Sequence, residues 1–279
     1  MMLITRQGGL ALGLLFALAI VLLIGAACGG GGDEPGADQN IEDGEPTGDE
    51  ADIEAAVQAA ADAWNASDVE GYLVHFTDNW ILMEFEATRE GAAGELAEFV
   101  GSPPLAPGEL TGIQVSGKTA TADANEFTFG ALVAPKRMSF IKEAAGWLVD
   151  HEEDLPAAIP DGVAAVELTL FEYSFEFDSD AITDSNFAFD VSSIGAEQHE
   201  LVLIRVPEDL DIQAAILSTE QPAGIEDVGV AGPWNPGTDS TVVFAAPLGP
   251  GRYAMLCFIE DANGVPHAVL GMVNEFTIE

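Results

Sequence analysis

The spacing of apolar residues in the first half of the chain predicts helices followed by strands. Ile53, Val57, Ala60 and Trp64 recur at the period of a helix with one buried face. Helices are predicted at 53–64, 69–76 and 90–100, and extended segments at 79–85, 112–116, 119–129, 138–142 and 146–150. This order predicts an α+β domain whose helices pack on one antiparallel sheet.

The second half shows the two-residue alternation of β-strands. Apolar and polar residues alternate at 166–177 and again at 187–191, and 201–206 is a continuous apolar run. Further strands are predicted at 241–245, 253–258 and 272–278, with one weak helical segment at 210–217. Turns rich in Gly, Pro, Asn and Asp separate these strands, which favours an all-β sandwich or a small barrel.

The N-terminal residues have the pattern of a secretory signal. Arg6 precedes an almost entirely apolar run at 10–27, and two small residues lead to Cys28. This resembles a bacterial lipoprotein signal, which implies a signal peptide at 1–27, lipid on Cys28 and an extracytoplasmic protein anchored to the cell membrane. An uncleaved membrane anchor is the alternative, because the run is near the ~18-residue minimum for spanning a bilayer.

Composition divides the rest of the chain into a tether and two domains. Residues 28–50 are rich in Gly, Asp, Glu and Pro and have almost no large apolar side chain, so they are predicted to be disordered. Pro156, Pro160 and Gly162 interrupt the pattern between the halves, which predicts domains at 51–158 and 163–279.

The charge balance excludes some partners. The chain has 48 acidic and 8 basic residues, a formal net charge of −40, and its basic residues form no patch. Nucleic-acid binding is therefore not expected. Anionic lipid headgroups would repel the body of the protein, so we expect the membrane to hold it through the N-terminal lipid alone. The acidity is interpreted as a solvated surface, and a docking face for a basic partner or a high-salt habitat is the alternative.

Cys257 carries the most informative chemistry in the chain. It ends an apolar strand, His267 and Met272 follow within one loop, and His199 lies on a distant strand. If Cys28 carries lipid, Cys257 has no cysteine to pair with, and an unpaired thiol in an exported protein is either reactive or committed as a ligand. A thiolate, two imidazoles and a thioether suit a soft transition metal, above all copper.

Three segments around these residues resemble the copper-binding segments of cupredoxins, the plastocyanin- and azurin-like proteins. They are Pro247-Leu-Gly-Pro-Gly-Arg-Tyr-Ala-Met-Leu-Cys257, His267-Ala-Val-Leu-Gly-Met272 and Gln198-His-Glu-Leu-Val-Leu203. The resemblance implies a Greek-key β-sandwich at 163–279 with one type 1 copper ion. It also implies electron transfer to a redox partner protein, with His199, Cys257 and His267 as ligands and Met272 as the weak axial donor.

Two features depart from the cupredoxin pattern. The gap between Cys257 and His267 is longer than in plastocyanins, and it contains the turn signal Asn263-Gly264, so we expect a small excursion that returns His267 to the site. Glu200 follows the first histidine, where many members carry an asparagine that ties the ligand loops together. We expect this change to alter stability or potential more than metal binding.

The first half resembles the NTF2-like (SnoaL-like) superfamily. The resembling phrases are Ala63-Trp-Asn-Ala-Ser-Asp68, Gly117-Lys-Thr-Ala-Thr-Ala122 and Glu143-Ala-Ala-Gly-Trp-Leu-Val-Asp150. The resemblance implies a curved sheet and helices around a conical pocket. The conceivable acid–base residues are His75, His151, Asp62 and Asp150, and none is assigned a catalytic role, so no enzyme is predicted. The aromatic residues Trp64, Tyr72, Trp80 and Trp147 are interpreted as core.

Three other functions remain open for the metal-ligand set. Zinc could bind the same cysteine and histidines, with Met272 as a spectator. A cupredoxin fold without metal could serve as a scaffold for binding a ligand or a protein, together with the NTF2-like pocket. Copper storage or delivery would use the same ligands as electron transfer.

Overall fold

The structure is a computed structural model of the chain and describes residues 48–97, 100–218 and 222–279. The predicted signal peptide at 1–27, the lipidation site Cys28 and the tether up to residue 47 lie outside these ranges, so they stay predictions. Within the described ranges, the helices lack the length and apolar character that crossing a membrane requires.

The first half combines helices with short and long strands. Its helices are α1 (Asp49–Asn65), α2 (Val69–Leu73), α3 (Asp78–Phe85) and α4 (Arg89–Leu96). Its strands are β1 (Leu105–Ala106), β2 (Leu110–Ser116), β3 (Thr119–Ala124), β4 (Thr128–Phe129), β5 (Leu132–Val133), β6 (Lys136–Glu143) and β7 (Gly146–Asp154). The four long strands form an antiparallel sheet in the order β2-β3-β6-β7. The helices pack on this sheet through one hydrophobic core, as the order of elements predicts.

The helical period of α1 reflects real burial. Ile53, Val57, Ala60 and Trp64 are all buried against the sheet. The indole Nε1 of Trp64 donates to the carbonyl of Pro103 at 2.8 Å, so the large side chain is buried without an unsatisfied polar atom. The acidic residues of the first turn, such as Asp49, lie where the helix dipole favours negative charge.

The prediction of an extended segment at 79–85 is wrong, because these residues form α3. Thr77 caps this helix by accepting a hydrogen bond from the backbone N–H of Trp80 at 3.1 Å. Trp80 and Ile81 are buried, whereas Leu82 is 59% exposed. The apolar run therefore covers two faces of a helix, and a run this short does not distinguish a helix from a strand.

The second half consists mainly of strands. They are β8 (Ala164–Phe171), β9 (Ser174–Glu176), β10 (Phe187–Ser193), β11 (His199–Val206), β12 (Glu226–Trp234), β13 (Thr238–Phe244), β14 (Gly251–Leu256) and β15 (Val273–Ile278). A 3₁₀ turn at Ser179–Ala181 and helix α5 (Ile212–Ile216), capped by Asp211, interrupt them. The helix falls in the segment where the sequence predicts a weak one.

Two sheets meet over one hydrophobic core in the second half. A seven-stranded sheet has the order β1-β4-β5-β13-β10-β8-β9, and a four-stranded sheet has the order β12-β11-β14-β15. Leu168 and Phe189 of the first sheet share a core with Leu203, Met255 and Phe276 of the second. The pair β8/β10 is parallel, and a helix is present. The described fold is therefore mixed α and β with several sheets, and the all-β Greek-key sandwich stays a prediction.

Strand β12 has no counterpart in the sequence-based prediction. Its alternation of apolar and polar residues is interrupted by Gly229, Gly232 and Pro233. Glycine and proline normally weaken or end a strand, so the sequence pattern does not indicate one here. Its pairing with β11 stabilises it in the tertiary structure, with His199 opposite Trp234.

The two halves are joined by strand pairing. Leu132 and Val133 of β5 pair with Phe244 and Val243 of β13, so residues from the first half extend the larger sheet of the second. The division into domains at 51–158 and 163–279 stays a prediction, and the halves share backbone hydrogen bonds.

Thr77 is expected to contribute more to the stability of the fold than an ordinary helix cap does. Its hydroxyl also donates to Asp150 Oδ1 at 2.7 Å, which links α3 to β7. Replacement of Thr77 by Ala should lower the free energy of unfolding by about 2 kcal/mol, the sum of a cap and a second hydrogen bond. Urea denaturation followed by tryptophan fluorescence measures this change.

The matched control is Thr88→Ala, which removes a cap of the same type from α4 at an exposed position. This change should lower the free energy of unfolding by about 1 kcal/mol or less. Equal losses in the two variants would show that the Thr77–Asp150 contact contributes nothing.

Candidate metal centre

The predicted ligands lie at the ends of three strands. His199 begins β11, Cys257 directly follows β14, His267 lies in the next loop, and Met272 directly precedes β15. All four side chains are 0% exposed.

The long excursion between Cys257 and His267 closes on itself. Glu260 and Pro266 form an antiparallel bridge, and a turn at Asn263-Gly264 lies between them. The backbone N–H of His267 donates to the carbonyl of Ile259 at 2.8 Å, which places the histidine beside the end of β14. The structure thus has the returning turn that the sequence predicts.

The excursion brings the two histidines and the cysteine together. One donor atom from each of His199, Cys257 and His267 lies within 4.8 Å of the others. The distance from Cys257 Sγ to His267 Nδ1 is 3.5 Å, and the two imidazole rings are 5.1 Å apart at an angle of 56°. These three donors converge on one point inside the protein.

Three of the four imidazole nitrogens lack a hydrogen-bond partner that would account for their burial. Neither Nδ1 nor Nε2 of His199 has a hydrogen-bond partner. His267 Nε2 lies 3.1 Å from Glu197 Oε2, but the approach lacks the angle of a hydrogen bond. Each unsatisfied buried polar group costs about 1–3 kcal/mol, so a ligand for these nitrogens would stabilise the site. The donor set therefore fits a metal ion.

Burial keeps the ligands uncharged without a metal. Burial, together with the nearby His267, lowers the pKa of His199 to about 4. Burial also raises the pKa of the Cys257 thiol to about 12, against the opposing effect of hydrogen bonds from the backbone N–H groups of Glu200 and Ile259. A bound cation would reverse the preference of Cys257, because it stabilises the thiolate, and it would bind the imidazoles in the neutral form that burial already favours.

A β-bulge in β12 lies opposite the first histidine. Between the pairs His199–Trp234 and Leu201–Ala231, one residue of β11 faces two residues of β12. The side chains of His199 and Glu200 are both buried, and the backbone N–H of Glu200 donates to Cys257 Sγ, 3.5 Å away. Gly232 lies opposite with φ of 97°, and a Cβ there would lie 3.1 Å from the His199 carbonyl.

The Glu200 side chain ties two ligand segments together. Its Oε1 accepts a hydrogen bond from the backbone N–H of Phe258 at 2.9 Å, directly after Cys257. This is the type of link that the cupredoxin resemblance assigns to asparagine. The sequence shows that Glu200 occupies the position after the first histidine, but only the tertiary structure shows its hydrogen bond with Phe258.

Gly195 leaves space beside the first histidine, a role that the sequence does not indicate. A Cβ at this position would lie 2.9 Å from His199 Nε2 and 2.5 Å from Glu172 Oε1. Glu172 accepts hydrogen bonds from the backbone N–H groups of Ala196 and Glu197, which holds this loop over the histidine.

Met272 lies in the same buried apolar cluster as Cys257. Its backbone N–H donates to the carbonyl of His267 at 2.8 Å, so it is fixed to the ligand loop. Its role as axial donor stays a prediction.

The acid–base candidates of the first half do not form a cluster. Asp62 accepts a hydrogen bond from Gln58, and Asp150 accepts one from Thr77. His75 is half-buried, and burial lowers its pKa, while His151 is exposed. The aromatic residues Trp64, Tyr72, Trp80 and Trp147 are buried in the core, as expected, and the first three also line a cavity.

Comparisons with known proteins find similar structures only. No family model and no curated protein match the chain. One similar structure is an NTF2-like protein of unknown function from Shewanella oneidensis, with 15% identity over 37% of this chain and 96% of that chain, at a TM-score of 0.28. Another is an NTF2-like protein with a cystatin-like fold from Novosphingobium aromaticivorans, with 21% identity over 42% and 84% of the two chains, at a TM-score of 0.31.

A third is a cystatin-like domain of unknown function from Nostoc punctiforme, with 19% identity over 39% and 78% of the chains, at a TM-score of 0.30. These neighbours have the type of fold to which the NTF2-like resemblance points. At TM-scores this low, the likeness carries no conclusion about the site or the function. The cupredoxin and lipoprotein resemblances stay predictions.

Glu200 should give the metal-free protein a distinctive pH dependence. Burial raises its pKa to about 7, so between pH 4.5 and 7 the folded state holds a proton that the unfolded state has lost. This proton stabilises the fold at low pH, and the stabilisation is lost as the pH rises through 7. The free energy of unfolding of Glu200→Gln should equal that of the wild type near pH 4 and exceed it by about 3 kcal/mol above pH 7.

Urea denaturation of the chelator-treated protein between pH 4 and 8 measures this difference. Glu208→Gln, at an exposed position, is the control and should follow the wild type at every pH. A constant difference between Glu200→Gln and the wild type would contradict the assignment.

Proposed function

We propose that this chain is an extracytoplasmic lipoprotein that holds one copper ion and transfers electrons. The ligands are His199, Cys257 and His267, with Met272 as a weak axial donor. The observation that carries the proposal is the convergence of three buried donors within 4.8 Å, with both nitrogens of His199 unpartnered.

The donor chemistry favours copper over zinc. A structural zinc site takes an imidazole, a thiolate or a carboxylate as its fourth ligand, whereas the fourth predicted donor here is a thioether. Two imidazoles, one thiolate and a distant thioether form a site compatible with both Cu(I) and Cu(II), which supplies reversible one-electron chemistry. Zinc remains the main competing ion for the histidines and the cysteine.

The surrounding residues suit a resident ion. The fully buried donors exclude water, and the links through Glu200 and the closed excursion fix their positions. Backbone N–H groups directed at Cys257 Sγ stabilise a thiolate. A rigid, dry site favours electron transfer over rapid storage and delivery, since delivery requires that the ion leave easily.

The ligand loop also offers a contact surface. Val269 and Leu270 directly follow His267 and Ala268 and are 37% and 39% exposed. A partner protein that docked on these apolar side chains would come close to the metal ligands. We propose this face for the redox partner and the Cys28 lipid for membrane attachment. No enzymatic activity is proposed.

Cu(II) added to the full chain should produce an intense blue absorption from thiolate-to-copper charge transfer, and ascorbate should bleach it. Cys257→Ala should abolish this band, because no other cysteine among the described residues can supply the thiolate. Copper should also raise the melting temperature by mass action.

The matched control is His151→Ala, which removes an exposed histidine outside the ligand set and should leave the band unchanged. A colourless wild type, or equal spectra for the wild type and Cys257→Ala, would refute the copper proposal. Stabilisation by Zn(II) but not by copper would identify the competing zinc site.

The axial role of Met272 predicts a separate effect. Met272→Leu should keep the blue band and raise the reduction potential, because losing a weak donor to Cu(II) favours Cu(I). Redox titration of the band measures the shift. An unchanged potential would make Met272 a packing residue only.

A further inference from the structure

A cavity of about 480 Å³ lies where the first half meets the second. Trp64, Tyr72 and Trp80 of the helices and Trp234 of β12 belong to its lining. The lining is therefore rich in aromatic rings, and Phe76 stacks on Trp80 with centroids 3.9 Å apart. A volume of this size suits a small organic molecule.

Charged side chains also line this cavity. They are Glu84 of α3, Lys136 of β6, Glu152 and Asp154 of β7, and Asp239 of β13. Lys136 Nζ lies 2.7 Å from Asp154 Oδ1 and 5.5 Å from the centre of the Phe127 ring, so this cation already has a carboxylate partner. Glu152 accepts a long hydrogen bond from Trp80 Nε1 at 3.4 Å.

When they are ionised, the two glutamates give the cavity an excess of negative charge. The pKa of Glu84 is raised to about 7, first by burial and then by the charge of Glu152, while Lys136 opposes the shift. Burial also raises the pKa of Glu152, with Lys136 opposing. Two carboxyl groups of this kind repel each other when ionised, and a second cation beside them would remove the repulsion.

We propose that this cavity binds a small organic cation, an amine or a quaternary ammonium with an apolar body. The cationic head lies beside Glu84 and Glu152, and the body lies along the aromatic wall of Tyr72, Phe76 and Trp80. Aromatic faces attract cations electrostatically, and the carboxylates supply the countercharge.

The same residues disfavour other ligands. An anion would meet four carboxylates and one lysine that is already paired. A neutral apolar molecule would fill the cavity but leave the two glutamates without a counterion. The assignment does not depend on the copper proposal, because the metal ligands do not line this cavity.

Titration of the full chain with n-hexyltrimethylammonium, followed by tryptophan fluorescence and calorimetry, tests the proposal. The cation should bind at least about tenfold more tightly than hexanoate or 1-hexanol, which share its chain but lack its charge. Binding should weaken below pH 7, because Glu84 then takes up a proton in the presence of Glu152, Asp154, Lys136 and Tyr72.

Glu84→Gln and Glu152→Gln keep the side-chain shape and should each weaken binding of the cation about tenfold. Glu153→Gln is the matched control, since Glu153 neighbours Glu152 on β7 but is exposed and outside the cavity lining. Circular dichroism and melting curves confirm that the variants fold. No binding at millimolar concentration, equal binding of hexanoate or 1-hexanol, or unchanged affinity in both variants would overturn the proposal.

Discussion

The contacts of Glu200 are the constraint on which the candidate metal centre depends. Its backbone N–H donates to Cys257 Sγ, and its carboxyl group accepts a hydrogen bond from the backbone N–H of Phe258. A β-bulge places one extra residue in β12 opposite this point, where Gly232 allows the two backbones to approach closely. Glu200 therefore fixes the first histidine, the thiol and the start of the ligand loop relative to one another.

Strand β12 links the two sites of the molecule. On one side it pairs with β11 at the bulge, where Gly232 permits a close approach to His199. Its residues Pro233 and Trp234 line the cavity between the halves, as does the next residue, Asn235, which accepts a hydrogen bond from Gln198 at 2.8 Å. The pairing of β5 with β13 holds the cavity walls together, so the halves form a common frame around it.

Both sites contain polar groups whose burial is unfavourable in the bare protein. Unpartnered imidazole nitrogens at the candidate metal centre and two buried glutamates that repel each other in the cavity both raise the free energy of the folded state. Proteins generally tolerate such groups where a ligand completes them. The hydrophobic cores of the two halves provide the stability that offsets them.

The sequence by itself predicted helix α1 and most of the strands, because the spacing of apolar residues is a local property. It also singled out His199, Cys257 and His267 as candidate metal ligands, because the donor chemistry of a side chain is local too. It did not distinguish α3 from a strand, since the cap at Thr77 and the packing of Trp80 decide this short apolar run. Only the tertiary structure revealed β12, the hydrogen bond from Phe258 to Glu200, and the position of Glu84 and Glu152 in the same cavity. These contacts join residues far apart in the chain, and spacing along the sequence carries no information about them.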